Sequence, residues 1–139
     1  MDLQLLKSPV NKEGWNMWKE KTILIVEDDK NSTELFREIF EETDLTVLYA
    51  SDGGTAIDIC KSRHVDVVLM DIQLPGMSGY SALLEIKKLN IEIIFIAQTA
   101  NAMTGDREKY LEMGFNNYIA KPIYPKDLID LLSEYLEKN

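Results

Sequence analysis

The residues best equipped for chemistry stand where apolar runs end. Glu27, Asp28 and Asp29 follow Ile23-Leu24-Ile25-Val26, and Asp71 follows Val67-Val68-Leu69-Met70. Thr99 and Ala100 come after the run that ends at Ala97, and Lys121 with Pro122 after Tyr118-Ile119-Ala120. Turns at such points usually carry neutral residues such as Gly, Asn or Ser. Carboxylates gathered in one place repel each other unless a cation stands among them. Hard oxygen ligands on loops suit Mg2+, which keeps several waters and leaves a face open to phosphate. A lysine and a hydroxyl beside such a metal are groups that hold phosphoryl oxygens. The set therefore points to phosphoryl transfer onto a carboxylate. Asp71 is the expected nucleophile, with the metal and Lys121 offsetting the charge that develops.

Whether these groups meet depends on the elements that carry them. Apolar runs rich in β-branched residues cover Thr22–Val26, Leu45–Ala50, Val65–Met70, Ile91–Ala97 and Asn117–Ala120. Several are continuously apolar, as strands covered on both faces should be. Helical spacing fills the intervals. Leu35, Phe36, Ile39 and Phe40 form one stripe, with Asn31 and Glu34 placed as a capping box at its start. Ala56, Ile59 and Cys60 mark a second helix after Asp52-Gly53-Gly54. Ser78 caps a third, expected to bury Tyr80, Leu83, Leu84 and Ile86. Thr104–Met113 makes a fourth that Gly114 ends, and Pro125 opens a fifth with Leu128, Ile129, Leu132 and Leu136 on one face. Five strands alternating with five helices predict an α/β doubly wound (βα)5 domain with a five-stranded parallel sheet. Ligands of such sheets lie beyond the carboxyl ends of the strands, where all the residues above are found.

Composition narrows the partners. The chain has 139 residues, one domain's worth, with 15 basic and 24 acidic residues for a net charge of −9. That balance argues against nucleic acid or an anionic membrane as the main partner. The longest apolar run, Ile93–Ala97, is far too short to span or insert into a bilayer. A lone cysteine, Cys60, fits a reducing, cytoplasmic setting. Residues 1–21 hold Pro9, Gly14, Trp15, Trp18 and four lysines without periodicity, and read as a tail or linker whose tryptophans can dock on the domain. The domain proper is expected at 22–139.

The ordered set Ile23–Asp29, Val68–Gly79, Thr99-Ala100 and Tyr118–Pro122 resembles the receiver domain of two-component response regulators. The stretch Gln98–Ile123 is most similar to receivers at the C-terminus of hybrid sensor histidine kinases. The resemblance implies the flavodoxin-like strand order 2-1-3-4-5, for which the family's chemotaxis member is a standard example. It implies Asp71 as phosphoacceptor. Glu27, Asp28, Asp71 and the backbone carbonyl of Gln73 would hold Mg2+, and Lys121, aimed by a cis peptide to Pro122, would contact the phosphoryl group. Thr99 and the backbone of Ala100 would join it there. Thr99 and Tyr118 would act as the switch pair that alters the face of the fourth helix, fifth strand and fifth helix. Glu27 departs from the aspartate that many members carry. The implied partners are a sensor histidine kinase or its phosphohistidine domain and, where a relay continues, a histidine phosphotransfer protein.

Two other readings compete. A Mg2+-dependent hydrolase of the haloacid dehalogenase type also uses an aspartate nucleophile. There the nucleophile ends the first strand with a second acid two residues on, and position 30 here is Lys30. A phosphorylation-independent docking module is the other, although every key side chain is present. His64 is the one histidine, expected at the surface away from the pocket, which removes a Ser-His-Asp triad and argues against an internal phosphodonor. The domain would catalyse its own phosphorylation and dephosphorylation rather than turn over a metabolite. No helix-turn-helix follows, so DNA binding is not expected.

Overall fold

The computed structural model describes residues 18–100 and 106–137. Five strands and five helices alternate through it: β1 (Thr22–Val26), α1 (Lys30–Phe40), β2 (Thr46–Ala50), α2 (Gly53–Ser62), β3 (Val67–Asp71), α3 (Gly79–Lys87), β4 (Ile94–Thr99), α4 (Asp106–Met113), β5 (Asn117–Ala120) and α5 (Pro125–Leu136). The strands form one sheet in the order β2-β1-β3-β4-β5, every neighbouring pair parallel. This is the flavodoxin-like order expected from the sequence.

The pleat explains how the site is placed. Successive side chains leave a strand on opposite faces. Ile23 and Ile25 of β1 and Val67 and Leu69 of β3 pack with Phe36 and Ile39 of α1 and Leu128 and Leu132 of α5. Leu24, Val26, Val68 and Met70 pack on the other face with Ala56 and Cys60 of α2, Leu83 and Ile86 of α3 and Tyr110 of α4. All five residues of β1 and of β3 are buried, so a one-residue register slip would exchange the side chains packed on the two covered faces. Extending the alternation puts Glu27 and Asp71 on the α1 and α5 side of the sheet. Asp71 is the last residue of β3 itself rather than of the loop after it.

Several local expectations are corrected. The N-cap of α1 is Asp29, whose carboxylate accepts from the Ser32 N–H at 2.9 Å, and Asn31 lies inside the helix. That backbone N–H bond holds the Asp29 carboxyl below its usual range. Tyr80 and Leu84 of α3 are 38% and 41% exposed. The buried stripe of α3 is instead Gly79, Ala82, Leu83 and Ile86, because small residues let it lie close to the sheet. β4 starts at Ile94, and Ile91 is exposed before it. The start of the fourth helix at Thr104 lies outside the described residues, as does Trp15. Trp18 docks on the domain: it is fully buried among Ile23, Phe40 and Leu136, and its carbonyl accepts from the Lys21 N–H at 3.0 Å.

Gly79 is required for a close approach. A Cβ there would stand 2.5 Å from the Asp71 carbonyl oxygen and 3.1 Å from Ile72 Cα. The Gly79 N–H also donates to the Ile72 carbonyl at 3.1 Å, pinning the start of α3 against the end of β3.

Cys60 is buried as expected, and burial pushes its thiol up to about 11. Only the thiolate reacts, so at pH 8 the native protein is expected to resist a thiol-exchange dye for many minutes. Denaturation should release one reactive thiol per chain; rapid native labelling would show that α2 opens readily. His64 is exposed, with Nε2 2.9 Å from Asp66. No described helix is long and apolar enough to cross a membrane.

Candidate functional site

The carboxyl ends of β1, β3, β4 and β5 open into a cleft of about 510 Å³. Its lining includes Glu27, Asp28, Asp71, Gln73, Thr99, Ala100 and Lys121. The sheet thus brings together seven of the eight residues expected at the site. Tyr118 is the exception. It is half-buried on β5 and belongs to the groove beside α5.

Each acid is held differently. Glu27 is 4% exposed, and its backbone N–H donates to the Ala50 carbonyl of β2 at 2.9 Å. Its carboxylate bends back over its own loop. Oε2 accepts from the Asp28 N–H at 3.0 Å and the Asp29 N–H at 3.3 Å, while Oε1 accepts from Lys121 Nζ at 3.1 Å. Asp71 is 6% exposed: Oδ1 accepts from the Gln73 N–H at 2.9 Å and Oδ2 from Lys121 Nζ at 2.8 Å. Asp28 is exposed, facing the mouth of the cleft. Oxygens of Glu27, Asp28 and Asp71 lie within 4.8 Å of one another. Three convergent hard oxygens of this kind fit a divalent cation such as Mg2+.

The electrostatics follow from crowding. Burial pushes the Glu27 carboxyl up, and the neighbouring Asp71 adds to that, against an opposing pull from Lys121. Burial alone would lower the Lys121 ammonium, but its bonds to Asp71 and Glu27 outweigh this and hold it above its usual range. Lys121 thus stands where the excess negative charge is greatest. Its backbone is fixed by an N–H bond to the Thr99 carbonyl at 2.8 Å, and its peptide to Pro122 is cis, as the resemblance implies.

Thr99 is 5% exposed, and its Oγ1 accepts from the Tyr110 hydroxyl at 2.8 Å. The Tyr110 ring is tilted against that of Tyr118 with centroids 5.6 Å apart. Tyr110 therefore links the two expected switch residues, and sequence reasoning missed it. The signal available was a lone buried aromatic on a helix of low apolar content; Tyr110 is the one buried side chain of α4. Gln98, Asp106 and Lys109 also line the cleft and were not foreseen. Gln98 is a fully buried amide one residue before the end of β4 and the register partner of Asp71.

The sequence matches the family described as "Response regulator receiver domain" over residues 23–133. It is 35% identical over 130 residues to hybrid signal transduction histidine kinase I of Dictyostelium discoideum, covering 84% of this chain and 8% of that protein. The chain thus spans less than a tenth of that relative's length. It is 37% identical over 119 residues to the polar-differentiation response regulator DivK of Brucella ovis, covering 84% of this chain and 96% of DivK. Among solved structures, it resembles the receiver domain of the sensor histidine kinase PA1611 from Pseudomonas aeruginosa PAO1, which has magnesium coordinated in its active-site cleft. That likeness has a TM-score of 0.74 at 32% identity and covers 85% of this chain and 98% of that one. With a parallel 2-1-3-4-5 sheet, an acidic cleft at its carboxyl edge and these relatives, the chain belongs to the response regulator receiver domain family of two-component signalling.

Proposed function

We propose that this receiver accepts a phosphoryl group from a phosphohistidine onto Asp71, with Mg2+, and relays the event through Thr99 and Tyr118 to the α4, β5 and α5 face. The observation that carries the reading is Lys121 Nζ, 2.8 Å from Asp71 and 3.1 Å from Glu27. An ammonium bridging two buried carboxylates is a counter-charge poised over the nucleophile.

In the reaction one Asp71 oxygen attacks phosphorus. The P–O bond forms as the P–N bond to the donor imidazole breaks, and the imidazole leaves with the bond's electron pair. The Gln73 N–H holds the other Asp71 oxygen and so fixes which one attacks. Lys121 turns from the carboxylate toward a phosphoryl oxygen, since phosphorylation removes the carboxylate charge of Asp71 that held it. The Ala100 backbone and the Thr99 hydroxyl stand at the cleft to receive the remaining oxygens. Asp28, Asp71, Glu27 and the Gln73 carbonyl would hold Mg2+, which supplies charge neutralisation between nucleophile and phosphoryl group. The donor is a sensor histidine kinase or its phosphohistidine domain, and a histidine phosphotransfer protein takes the group onward if the relay continues.

The test is intact-mass spectrometry after incubation with acetyl phosphate, with and without Mg2+, on wild type and Asp71→Asn. One phosphoryl adduct that needs Mg2+ and disappears in the variant is expected. An adduct that survives in Asp71→Asn would overturn the acceptor. Failure of both acetyl phosphate and beryllofluoride to bind wild type would favour the docking-module reading.

A further inference from the structure

Tyr110 occupies a position that the phosphoacceptor chemistry leaves unexplained. Its hydroxyl donates to Thr99 Oγ1 at 2.8 Å, and both residues are at most 5% exposed. Its ring meets Tyr118 at 5.6 Å and Phe115 edge-on at 6.4 Å. Among the described residues of its own helix, α4, it is the only one buried. Tyr110 is thus the main apolar anchor of α4 to the sheet, and its single polar atom is spent on Thr99.

The direction of that bond matters. Thr99 leaves β4 on the face of Phe95 and Ala97, toward α4. Its neighbour Gln98 leaves on the opposite face, in register with Asp71. Thr99 and Tyr110 both line the cleft that holds Asp71, and the buried bond between them ties the Thr99 hydroxyl to α4. A rotation about the Thr99 side chain that turned Oγ1 from α4 toward a phosphoryl group on Asp71 would lengthen or break the bond to the Tyr110 hydroxyl. A buried hydroxyl that loses its acceptor costs free energy until it finds another.

We infer that Tyr110 is a positioning residue that latches Thr99 to α4 in the unphosphorylated state, so that phosphorylation must break this bond before the switch face can move. The inference rests on the phosphoacceptor reading above and adds to it the element that resists switching. The latch also couples the parts. When Thr99 leaves, the Tyr110 hydroxyl must shift to a new partner, which moves the ring that packs against Tyr118 and with it the anchor of α4. A two-state element is then biased by the cleft on one side and read out on the other.

Removing one hydroxyl isolates the latch, because Tyr110→Phe keeps the ring and its packing. With Mg2+ present, the variant is expected to bind beryllofluoride about two- to tenfold tighter than wild type, the range a single net hydrogen bond spans. In a Thr99→Val background the same substitution should change affinity by less than about 1.5-fold, since the two hydroxyls form one interacting pair. A second measurement uses the unaltered protein. With tyrosine labelled at the ring carbon that bears oxygen, the Tyr110 signal should move on adding beryllofluoride as its hydroxyl changes partner.

Unchanged or weaker binding by Tyr110→Phe overturns the latch; weaker binding would mean that the hydroxyl supports Thr99 in the bound state. An equal gain in the Thr99→Val background overturns it too, as does a Tyr110 signal that stays put when wild type is saturated. If wild type fails to bind beryllofluoride at all, the phosphoacceptor reading itself falls and the latch with it. If wild type binds and only the Tyr110 arms fail, the phosphoacceptor reading stands.

Discussion

Lys121→Met is expected to destabilise the metal-free protein by about 2–3 kcal/mol at neutral pH, and added Mg2+ should restore much of that loss. Glu27 and Asp71 are 4% and 6% exposed and share one ammonium. Removing one partner of a buried ionic set typically costs about 3–5 kcal/mol, because the remaining charges stay buried and uncompensated. The lower figure applies here because the Lys121 side chain is 30% exposed and water screens part of the interaction. Methionine keeps the unbranched stem and its packing, so the loss measures the charge. A divalent ion on the same carboxylates replaces the missing positive charge and binds only the folded state, so its stabilisation should be larger in the variant than in wild type. Phosphorylation by acetyl phosphate should slow by about 10²–10³-fold, the usual cost of losing one group aimed at developing charge. Thermal melts with and without Mg2+ check the first part. A variant as stable as wild type without metal would show that the bridge seen at 2.8 and 3.1 Å carries little weight in solution.

Gly79→Ala should be as damaging through sterics alone. The new methyl would fall 2.5 Å from the Asp71 carbonyl oxygen and 3.1 Å from both Ile72 Cα and the Met70 side chain. The nearest atoms are backbone, so no side chain can swing aside. Overpacking of this kind typically costs about 1–3 kcal/mol, with larger losses where backbone must yield. The strain lands on the residue expected to take the phosphoryl group, so acceptor activity should fall along with stability. Chemical denaturation and the acetyl phosphate reaction test the two effects on one sample. A Gly79→Ala protein with wild-type stability would mean that α3 can slide off the end of β3 at no cost.

Much of this architecture was legible because it rests on features local to the sequence. The runs Ile23–Val26 and Val67–Met70 are apolar without interruption, which only a strand covered on both sides tolerates. The charged residues at their ends stood out against that background, and the sheet order then brought them together. What could not be read was contact across elements. The Tyr110 to Thr99 bond joins a helix to a strand, and no spacing rule connects position 110 with position 99. The cap of α1 went to Asp29 rather than Asn31 because an acid at the end of the β1 loop was already in place to accept the Ser32 N–H. In α3 the pattern of large apolar residues pointed to Tyr80 and Leu84. The helix instead turns its small residues inward, where Gly79 and Ala82 allow close approach. Hydrophobic size and burial part company wherever two backbones must nearly touch.

Trp18 bears on how such a domain can be moved between proteins. It lies ahead of the first strand, yet it is completely enclosed against Ile23, Phe40 and Leu136. A recombination joint drawn at the start of β1 would leave its indole behind with the donor, and the transplanted sheet would arrive with a tryptophan-sized hole at its amino edge. A joint drawn before Trp18 would carry the plug along. For any chimera built on this receiver, the functional seam runs ahead of the tryptophan, inside what composition alone marks as a tail.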